Sequence, residues 1–209
     1  MAIEHHPADE TLLRYASGNL PARASLVIAT HLHFCPECRR MYRGLRSLGG
    51  ELLRTEEPSP LAPGALATTL ARLDETPPAA AKRKFVAAGL PPTLAGQPIA
   101  PWRWLAPGIR IAHIGPRDRT GSVFLLRCAP GSSLPAHRHE APEYSCVIRG
   151  GYSDAAGHYS VGDTEESGSD LSHAPKVDPD GECIAVIAVE GKLQLEGWLP
   201  RLLQPLFGI

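Results

Sequence analysis

The chain has 209 residues, enough for one large domain or two modest domains with their own cores. Its formal net charge is −1, so no overall basic field draws it to nucleic acid. It has no apolar run of the roughly 18–20 residues that a membrane-spanning helix needs, and its first residues do not resemble a secretory signal. Five thinly spread cysteines do not form a disulfide framework. We therefore predict a protein of the reducing cytoplasm that binds neither membrane nor nucleic acid.

The first part of the chain predicts helices. Asp9 is a candidate N-cap for a helix that ends near Gly18, and Pro21 suits the first turn of a second helix. Pro36 opens a third helix, in which apolar residues repeat at intervals of three and four, typical of one buried face. That repeat consists of Met41, Leu45, Leu48 and Leu52. A short fourth helix is predicted over residues 65–75.

The second half of the chain predicts strands. Residues 58–101 are rich in proline and separate the two halves. From about residue 100 onward, short β-branched and aromatic runs alternate with Gly, Pro and Asp, typical of a β-sandwich or small barrel. The fold class is therefore α + β with two domains. We predict a small helical bundle over 1–80, a linker over 81–98 and an antiparallel β-sandwich or barrel over 99–209.

The stretch "HLHFCPEC" (31–38) concentrates metal-type ligands. His31 and Cys35 lie one helical turn apart, and the C-x-x-C ends with Cys38 in a turn whose free backbone N–H groups favour thiolates. A structural zinc ion needs a fourth ligand, which His5 or His6 can supply, and the zinc would then staple three helices. The alternatives are a redox-active dithiol or two unrelated thiols. His33 is expected to face away from this cluster.

Two stretches, "HHPADETLLRYASGNL" and "THLHFCPECRR", resemble the zinc-binding anti-sigma domain. That family has a histidine ahead of its first helix and H-x3-C-x2-C between later helices. The resemblance implies Zn²⁺ bound by His6, His31, Cys35 and Cys38. It also implies a partner, an extracytoplasmic-function sigma factor that the helical domain clasps and keeps from RNA polymerase.

A second cluster, "HRHEAPE", lies at 137–143. His137 and His139 are two residues apart, so on a strand both side chains face the same side. Glu143 follows after a loop, and two imidazoles with one carboxylate make a three-point metal site. His173 is the best candidate for a fourth ligand from another strand. These ligand types suit zinc, iron, manganese and nickel alike, so the residues alone leave the metal open.

The spacing G-x5-H-x-H-x3-E-x6-G, which begins at Gly131, resembles the first cupin motif. The second cupin motif is looser: Gly162 and His173 are in register, but its proline, second glycine and asparagine are replaced. The resemblance implies a cupin domain that holds Zn²⁺ or another divalent transition metal. A degenerate cupin with an empty site is the alternative.

Three further cysteines lie in predicted strands. Buried cysteines are usually small apolar fillers, and this is the preferred interpretation of Cys128, Cys146 and Cys183. Cys146 is three residues past Glu143 and, by strand alternation, points to the opposite face. Cys183 is the candidate for a redox-sensing thiol.

A zinc-binding helical domain followed by a single cupin resembles the ChrR-type anti-sigma factors. The resemblance implies a regulator, not an enzyme, whose helical domain holds one sigma factor in a 1:1 complex. Its cupin domain would act as the sensor that triggers release under singlet oxygen or peroxide stress. The rival hypothesis is a metal-dependent, dioxygenase-like cupin oxidoreductase with a helical appendage. A third is a metal-storage or zinc-sensing protein.

Overall fold

The structure of the protein, a computed structural model, describes residues 2–73, 75, 89–118, 120–139, 141–168, 174–191 and 193–195. Helices come first in the chain and strands follow. The helices are α1 (Asp9–Ala16), α2 (Ala22–Phe34), α3 (Pro36–Thr55), α4 (Ala65–Ala71) and α5 (Pro92–Ala95). The strands are β1 (Arg103–Ala106), β2 (Ile109–Asp118), β3 (Gly121–Cys128), β4 (His137–His139), β5 (Glu143–Arg149), β6 (Tyr152–Ser153), β7 (His158–Tyr159), β8 (Thr164–Ser167), β9 (Lys176–Val177), β10 (Cys183–Glu190) and β11 (Leu193–Leu195).

A single extended residue separates α2 from α3. Cys35 has φ −91° and ψ 108°, and it is both the C-cap of α2 and the N-cap of α3. Pro36 follows as the first residue of α3, where its missing N–H removes no helical hydrogen bond. The chain therefore changes direction at the C-x-x-C motif, as the sequence predicts.

Six antiparallel strands form the main sheet, in the order β1-β2-β3-β10-β5-β8. Two smaller sheets accompany it, β7-β6-β9 and β11-β4. The central strands β3 and β10 are buried along almost their whole length because both faces of the main sheet are covered. This explains why their sequences are nearly continuous apolar runs and show no alternation of apolar and polar residues.

Helix α2 covers one face of the main sheet, packing against β5 and β10. Its fully buried Val27 and Ile28 join alternate residues of the sheet in one apolar cluster. The sheet contributes Ala112, Ile114, Val123, Leu125, Tyr144, Cys146, Ile148, Ile184, Val186 and Ala188 to this cluster. The helical half and the sheet therefore share a hydrophobic core.

The opposite face of the main sheet forms a second core. Its members alternate along the strands with those of the first core, as strand geometry requires. They include Ile111, Phe124, Leu126, Cys128, Val147, Cys183, Ala185 and Ile187, together with Tyr152, Tyr159 and Val177 of the three-stranded sheet. The β-half is thus a sandwich of sheets, and the predicted α + β fold class is confirmed.

The segment just before the β-half is part of the core. Leu94 of α5 is fully buried, and Thr93 forms a 3.1 Å hydrogen bond with Thr30 of α2. Residues 81–88 of the predicted linker lie outside the described residues. The division at 81–98 stays a prediction, but its last residues pack against α2.

One expectation about α3 is wrong. Its stripe of apolar residues was expected to be a buried face, but Leu48 is 57% exposed and Leu52 is 60% exposed. Only Leu45 of the predicted set packs against the core cluster. The reason is that no described element covers the second half of α3.

None of the helices in the described ranges combines the length and apolar character needed to cross a bilayer.

Candidate metal centre

The structure brings together His6, His31, Cys35 and Cys38. Their four candidate ligand atoms all lie within 4.8 Å of one another, and three of the four residues are buried. His31 comes from the last turn of α2, Cys35 from the junction and Cys38 from the first turn of α3. His6 comes from the extended segment ahead of α1. The cluster therefore joins three parts of the helical half at one point.

The local geometry of the C-x-x-C suits thiolate ligands. The backbone N–H of Cys38 donates a hydrogen bond to Sγ of Cys35 at 3.3 Å. N–H groups in the first turn of a helix have no helical acceptor and favour a negative charge placed beside them. Metal-bound Cys35 would receive this stabilisation from α3.

His6, and not His5, points into the cluster. The Nδ1 atom of His6 lies 3.5 Å from Sγ of Cys35 and 3.3 Å from Sγ of Cys38. His5 points away, with Nε2 3.1 Å from the carbonyl oxygen of His158 and its ring 4.3 Å from that of Tyr159. Consecutive residues of an extended segment face opposite sides, so one of the pair can reach the thiols.

His31 is poised as a neutral ligand. Its Nδ1 lies 2.7 Å from the carbonyl oxygen of Gly162, and because a carbonyl only accepts, Nδ1 must be the donor. Its Nε2 is buried and has no hydrogen-bond partner in the part of the chain that the structure describes. Burial lowers the pKa of His31 to about 4, so the ring is neutral at physiological pH. The lone pair on Nε2 is therefore available to a metal.

These residues fit zinc. Zn–S and Zn–N bonds of about 2.3 and about 2.1 Å place a sulfur and a nitrogen ligand about 3.6 Å apart in a tetrahedron. The observed separations of 3.3 and 3.5 Å between His6 Nδ1 and the two sulfurs are close to this value. Burial and the hydrogen bond with Cys35 raise the pKa of Cys38 to about 12, so metal binding must displace its proton. Four protein ligands fill a tetrahedron, which suits a structural ion.

The residues of the second predicted cluster are only partly described. His137 of β4 is buried, and its Nδ1 lies 2.9 Å from the carbonyl oxygen of Pro135. Glu143 is buried at the start of β5, on the same face as Val147 of the second core. The side chain of His139, and His173 as a whole, lie outside the described residues. A metal at this cluster stays a prediction.

Cys183 has a cysteine directly opposite it. In the antiparallel pairing of β10 with β3, Cys183 and Cys128 are register partners, and both belong to the second core. Burial raises the pKa of Cys183 to about 12 and that of Cys128 to about 11, so both are thiols at neutral pH. Cys146 lies on the other face of the sheet, in the core shared with the helices.

Sequence reasoning missed the residues of the β-half that hold the His/Cys cluster in place. Asp163 accepts hydrogen bonds from the backbone N–H groups of Glu4 and His5 through the same oxygen, at 2.8 and 2.9 Å. Burial opposes ionisation of this carboxyl, but its hydrogen bonds outweigh burial and hold the pKa of Asp163 below its usual value. In the sequence, Gly162 is notable only as a position in register with the second cupin motif. Nothing in the sequence pairs these positions with the N-terminal segment.

Comparison with known proteins identifies the family. Residues 97–191 match the family model described as the ChrR cupin-like domain. The chain is 35% identical over 214 aligned residues to the anti-sigma-E factor ChrR of Cereibacter sphaeroides, with 100% of both proteins covered. The chain belongs to the ChrR family of anti-sigma factors. This membership supports a regulatory protein, as expected, and not the rival oxidoreductase.

A crystal structure supports the same assignment to the ChrR family. The chain resembles a chain of the crystal structure of Rhodobacter sphaeroides SigE in complex with the anti-sigma ChrR, with a TM-score of 0.77 and 32% identity. The match covers 90% of this chain and 100% of the other. The helical part and the antiparallel β-part thus occur together in a solved ChrR structure.

Proposed function

We propose that this protein sequesters an extracytoplasmic-function sigma factor in a 1:1 complex. The observation that carries the proposal is a set of exposed leucines along the second half of α3 and around α4. Their exposed fractions lie between 52% and 81%: Leu48, Leu52, Leu53, Leu61, Leu66, Leu70 and Leu73. Exposed apolar surface of this extent is typical of a protein-binding face. We call these seven residues the leucine face.

Two further features support a helical partner surface. Leu48 and Leu52 are four residues apart on α3, and Leu66 and Leu70 are four residues apart on α4, so each pair lines one side of its helix. Amphipathic helices bind partners through such a stripe. The relative that aligns with this chain over its full length is an anti-sigma factor. This similarity favours a sigma factor as the partner that binds the leucine face.

Zinc is the proposed metal of the first cluster. We assign its ligands as His6, His31, Cys35 and Cys38, because their spacing suits a closed tetrahedral site. A bound zinc ion stabilises the fold by linking the segment before α1 to the α2–α3 junction. Two hydrogen bonds within the chain prepare this site. The carbonyl of Gly162 orients His31, and the N–H of Cys38 donates to the sulfur of Cys35.

The β-half is the proposed sensor. Zinc or another divalent transition metal is assigned to His137, His139, Glu143 and His173, following the cupin motif. Release of the sigma factor is proposed to follow oxidation by singlet oxygen or a peroxide. The described pair His137 and Glu143 supports this assignment because both side chains are buried. Since a sigma factor acts on RNA polymerase, the proposed site of action is the cytoplasm.

Cys183 is the proposed redox-sensing thiol, with Cys128 as its reaction partner. Directly opposed residues of antiparallel strands have Cα atoms about 4.5 or about 5.5 Å apart, within the range that a disulfide spans. A peroxide that accepts two electrons and two protons from the two thiols is reduced to water or to water and an alcohol, and one S–S bond forms. Because both groups are thiols and not thiolates at neutral pH, the reaction is expected to be slow without a catalyst.

Co-purification tests the proposal. The full-length protein is expressed with the extracytoplasmic-function sigma factor encoded beside its gene, and the complex is analysed for stoichiometry. A 1:1 complex that no longer initiates transcription with RNA polymerase is the expected result. A folded, zinc-loaded protein that forms no complex would overturn the anti-sigma assignment and return weight to a cupin enzyme. Oxygen consumption with small substrates would then be the next assay.

A further inference from the structure

A turn of the β-half holds the segment that carries His6. Asp163 accepts hydrogen bonds from the N–H groups of Glu4 and His5, and the N–H of Thr164 donates to the carbonyl oxygen of His5 at 3.1 Å. The second oxygen of Asp163 accepts from the N–H and the hydroxyl of Ser160, at 2.7 and 2.9 Å. The carboxylate thus fixes its own turn and the N-terminal segment together. His6 follows directly after the residues that are held.

The same turn orients His31. The carbonyl oxygen of Gly162 accepts the hydrogen bond from Nδ1 of His31 at 2.7 Å, while Nε2 has no hydrogen-bond partner among the described residues. A hydrogen bond on one imidazole nitrogen fixes the tautomer and the orientation of a ligand that binds metal through the other. A Cβ on Gly162 would lie 2.6 Å from Cδ1 of Ile3 and 2.9 Å from Cβ of Phe34. The turn therefore approaches α2 as closely as only glycine permits.

Glu166, just beyond the turn, holds the start of α1. One of its carboxylate oxygens accepts from the N–H of Ala8 and the other from the hydroxyl of Thr11, both at 3.0 Å. Neither Ala8 nor another residue at this end of α1 supplies a side-chain cap. Strand β8 of the β-half thus supplies the carboxylate, and a negative charge at the N-terminal end of a helix is stabilising.

We propose that the turn 160–163 is the outer shell of the zinc centre and the link through which the β-half sets its zinc affinity. Asp163 and Gly162 act as positioning residues for His6 and His31. The link continues inward because β8 follows the turn directly and pairs with β5, where Glu143 opposes Ser167. Cys146 of β5 also lies with Sγ 3.9 Å from the carbonyl oxygen of Gly162. A change at the second cluster therefore has a short physical route to the zinc ligands.

The inference rests on the proposed zinc assignment, and its test does not involve the sigma factor. The full-length protein is loaded with Co²⁺, whose thiolate-to-metal charge-transfer band reports only the His/Cys centre, and zinc is then titrated in competition. Asp163→Asn keeps the size of the side chain but replaces one acceptor oxygen with a donor. Asp154→Asn is the matched control, because Asp154 accepts two backbone N–H bonds, from Ala156 and Gly157, and neither bond involves the backbone of the segment that carries His6.

Asp163→Asn is expected to weaken metal binding about 10- to 100-fold and to alter the cobalt spectrum, as loss of an outer-shell contact does. Asp154→Asn should match the wild-type protein in both respects. Equal affinities and spectra for the two variants would overturn the inference while leaving the zinc assignment intact. If cobalt-loaded wild-type protein shows no charge-transfer band, both the zinc assignment and the inference about the turn are overturned.

A measurement on the unaltered protein covers the case in which Asp163→Asn fails to fold. Coupling between sites is reciprocal, so if the turn affects zinc, zinc must affect the turn. Hydrogen exchange is compared for wild-type protein with and without zinc. Zinc is expected to slow exchange at Thr164 and Gly162 and to leave the 154–157 turn unchanged. Equal protection of both turns in the two states would contradict the proposed link.

Discussion

Gly162 combines two constraints at a single residue. Its φ of +95° lies in a region that L side chains rarely adopt, and the space where a Cβ would stand is occupied by Ile3 and Phe34. Gly115 has a similar φ of +69° but nothing within 4 Å of its Cβ position. Alanine substitutions at the two glycines therefore distinguish two contributions to the free energy of unfolding: the strained backbone conformation, and the packing between the two halves.

Gly115→Ala is expected to lower the free energy of unfolding by about 1–2 kcal/mol, the cost of a left-handed alanine. Gly162→Ala should cost a further 1–3 kcal/mol, roughly, because the added methyl must displace Ile3 and Phe34. Urea unfolding of the zinc-loaded protein measures both losses. The dependence of the unfolding free energy on urea concentration must be the same for both variants and the wild-type protein. Equal losses for the two variants would show that the close approach at Gly162 is easily relaxed.

The thiols of the proposed zinc centre allow a second prediction about single residues. Cys35→Ser and Cys38→Ser should each abolish the thiolate-to-cobalt band or greatly reduce it, because a hydroxyl is a poor ligand where a thiolate is required. Cys128→Ser removes a thiol from the second core and should keep the band. Absorption spectra of cobalt-loaded protein decide the matter. A full band in Cys38→Ser would exclude that residue as a ligand.

The choice of His6 over His5 shows where sequence reasoning stops at this scale. The spacing H-x3-C-x2-C pointed to His31, Cys35 and Cys38 because helix geometry and turn chemistry are local. The fourth ligand depends on which way an extended segment is held. His158 and Tyr159, more than 150 positions away, engage His5 and leave His6 facing the thiols.

Helix α3 shows the same limit for a whole element. Its periodicity correctly predicted a helix with one apolar side, because the period reflects the 3.6-residue repeat. Periodicity does not say what covers that side, and in the described chain Leu48 and Leu52 face solvent. Strands β3 and β10 were predicted as strands for a related reason, since β-branched runs bounded by turn residues suit a doubly covered sheet.

The leucine face gives a prediction at this scale. A Leu48→Ser/Leu52→Ser variant should change the free energy of unfolding by about 0.5 kcal/mol or less per site, since neither side chain is buried. Its affinity for the sigma factor should fall at least about tenfold, because each lost leucine removes apolar contact area from the interface. Calorimetric titration provides the affinity.

Trp104→Ser is the matched control for the leucine variant. Trp104 is 60% exposed, similar to Leu52, but lies on β1 of the other half. We expect its sigma-factor affinity to equal that of the wild-type protein. An unchanged affinity in the leucine variant would move the proposed interface away from α3.

Across the whole molecule, the helical half and the β-half behave as partners in one core. Helix α2 packs directly on β5 and β10, and Arg23 at its start forms an ion pair with Glu190 at the end of β10, at 3.2 Å. Composition and periodicity predict two domains, and because both signals are local they do not indicate how the two halves pack against each other. The packing of a helix face on a sheet face depends on complementary shapes. These shapes involve residues far apart in the chain and cannot be predicted from local sequence patterns.

This shared core predicts how the protein responds to loss of metal. Removal of zinc with a chelator should lower the melting temperature, because a metal that binds only the folded state contributes its binding free energy to stability. Thermal unfolding can be followed in the helices by circular dichroism at 222 nm and in β10 by hydrogen exchange. The two signals should give the same lowered midpoint of thermal unfolding. Two separate midpoints, with only the helical signal sensitive to zinc, would show that the halves unfold independently.

The hydrogen bonds to Asp163 also set an order of events during synthesis. The acceptor of the His5 N–H lies 158 residues further along the chain. At translation rates of about 5–20 residues per second, the N-terminal segment leaves the ribosome on the order of 10 s before its anchor exists. During that interval His31, Cys35 and Cys38 are already present, while His6 has nothing to hold it. The nascent protein therefore completes the proposed metal centre late, only after most of the β-half has been made.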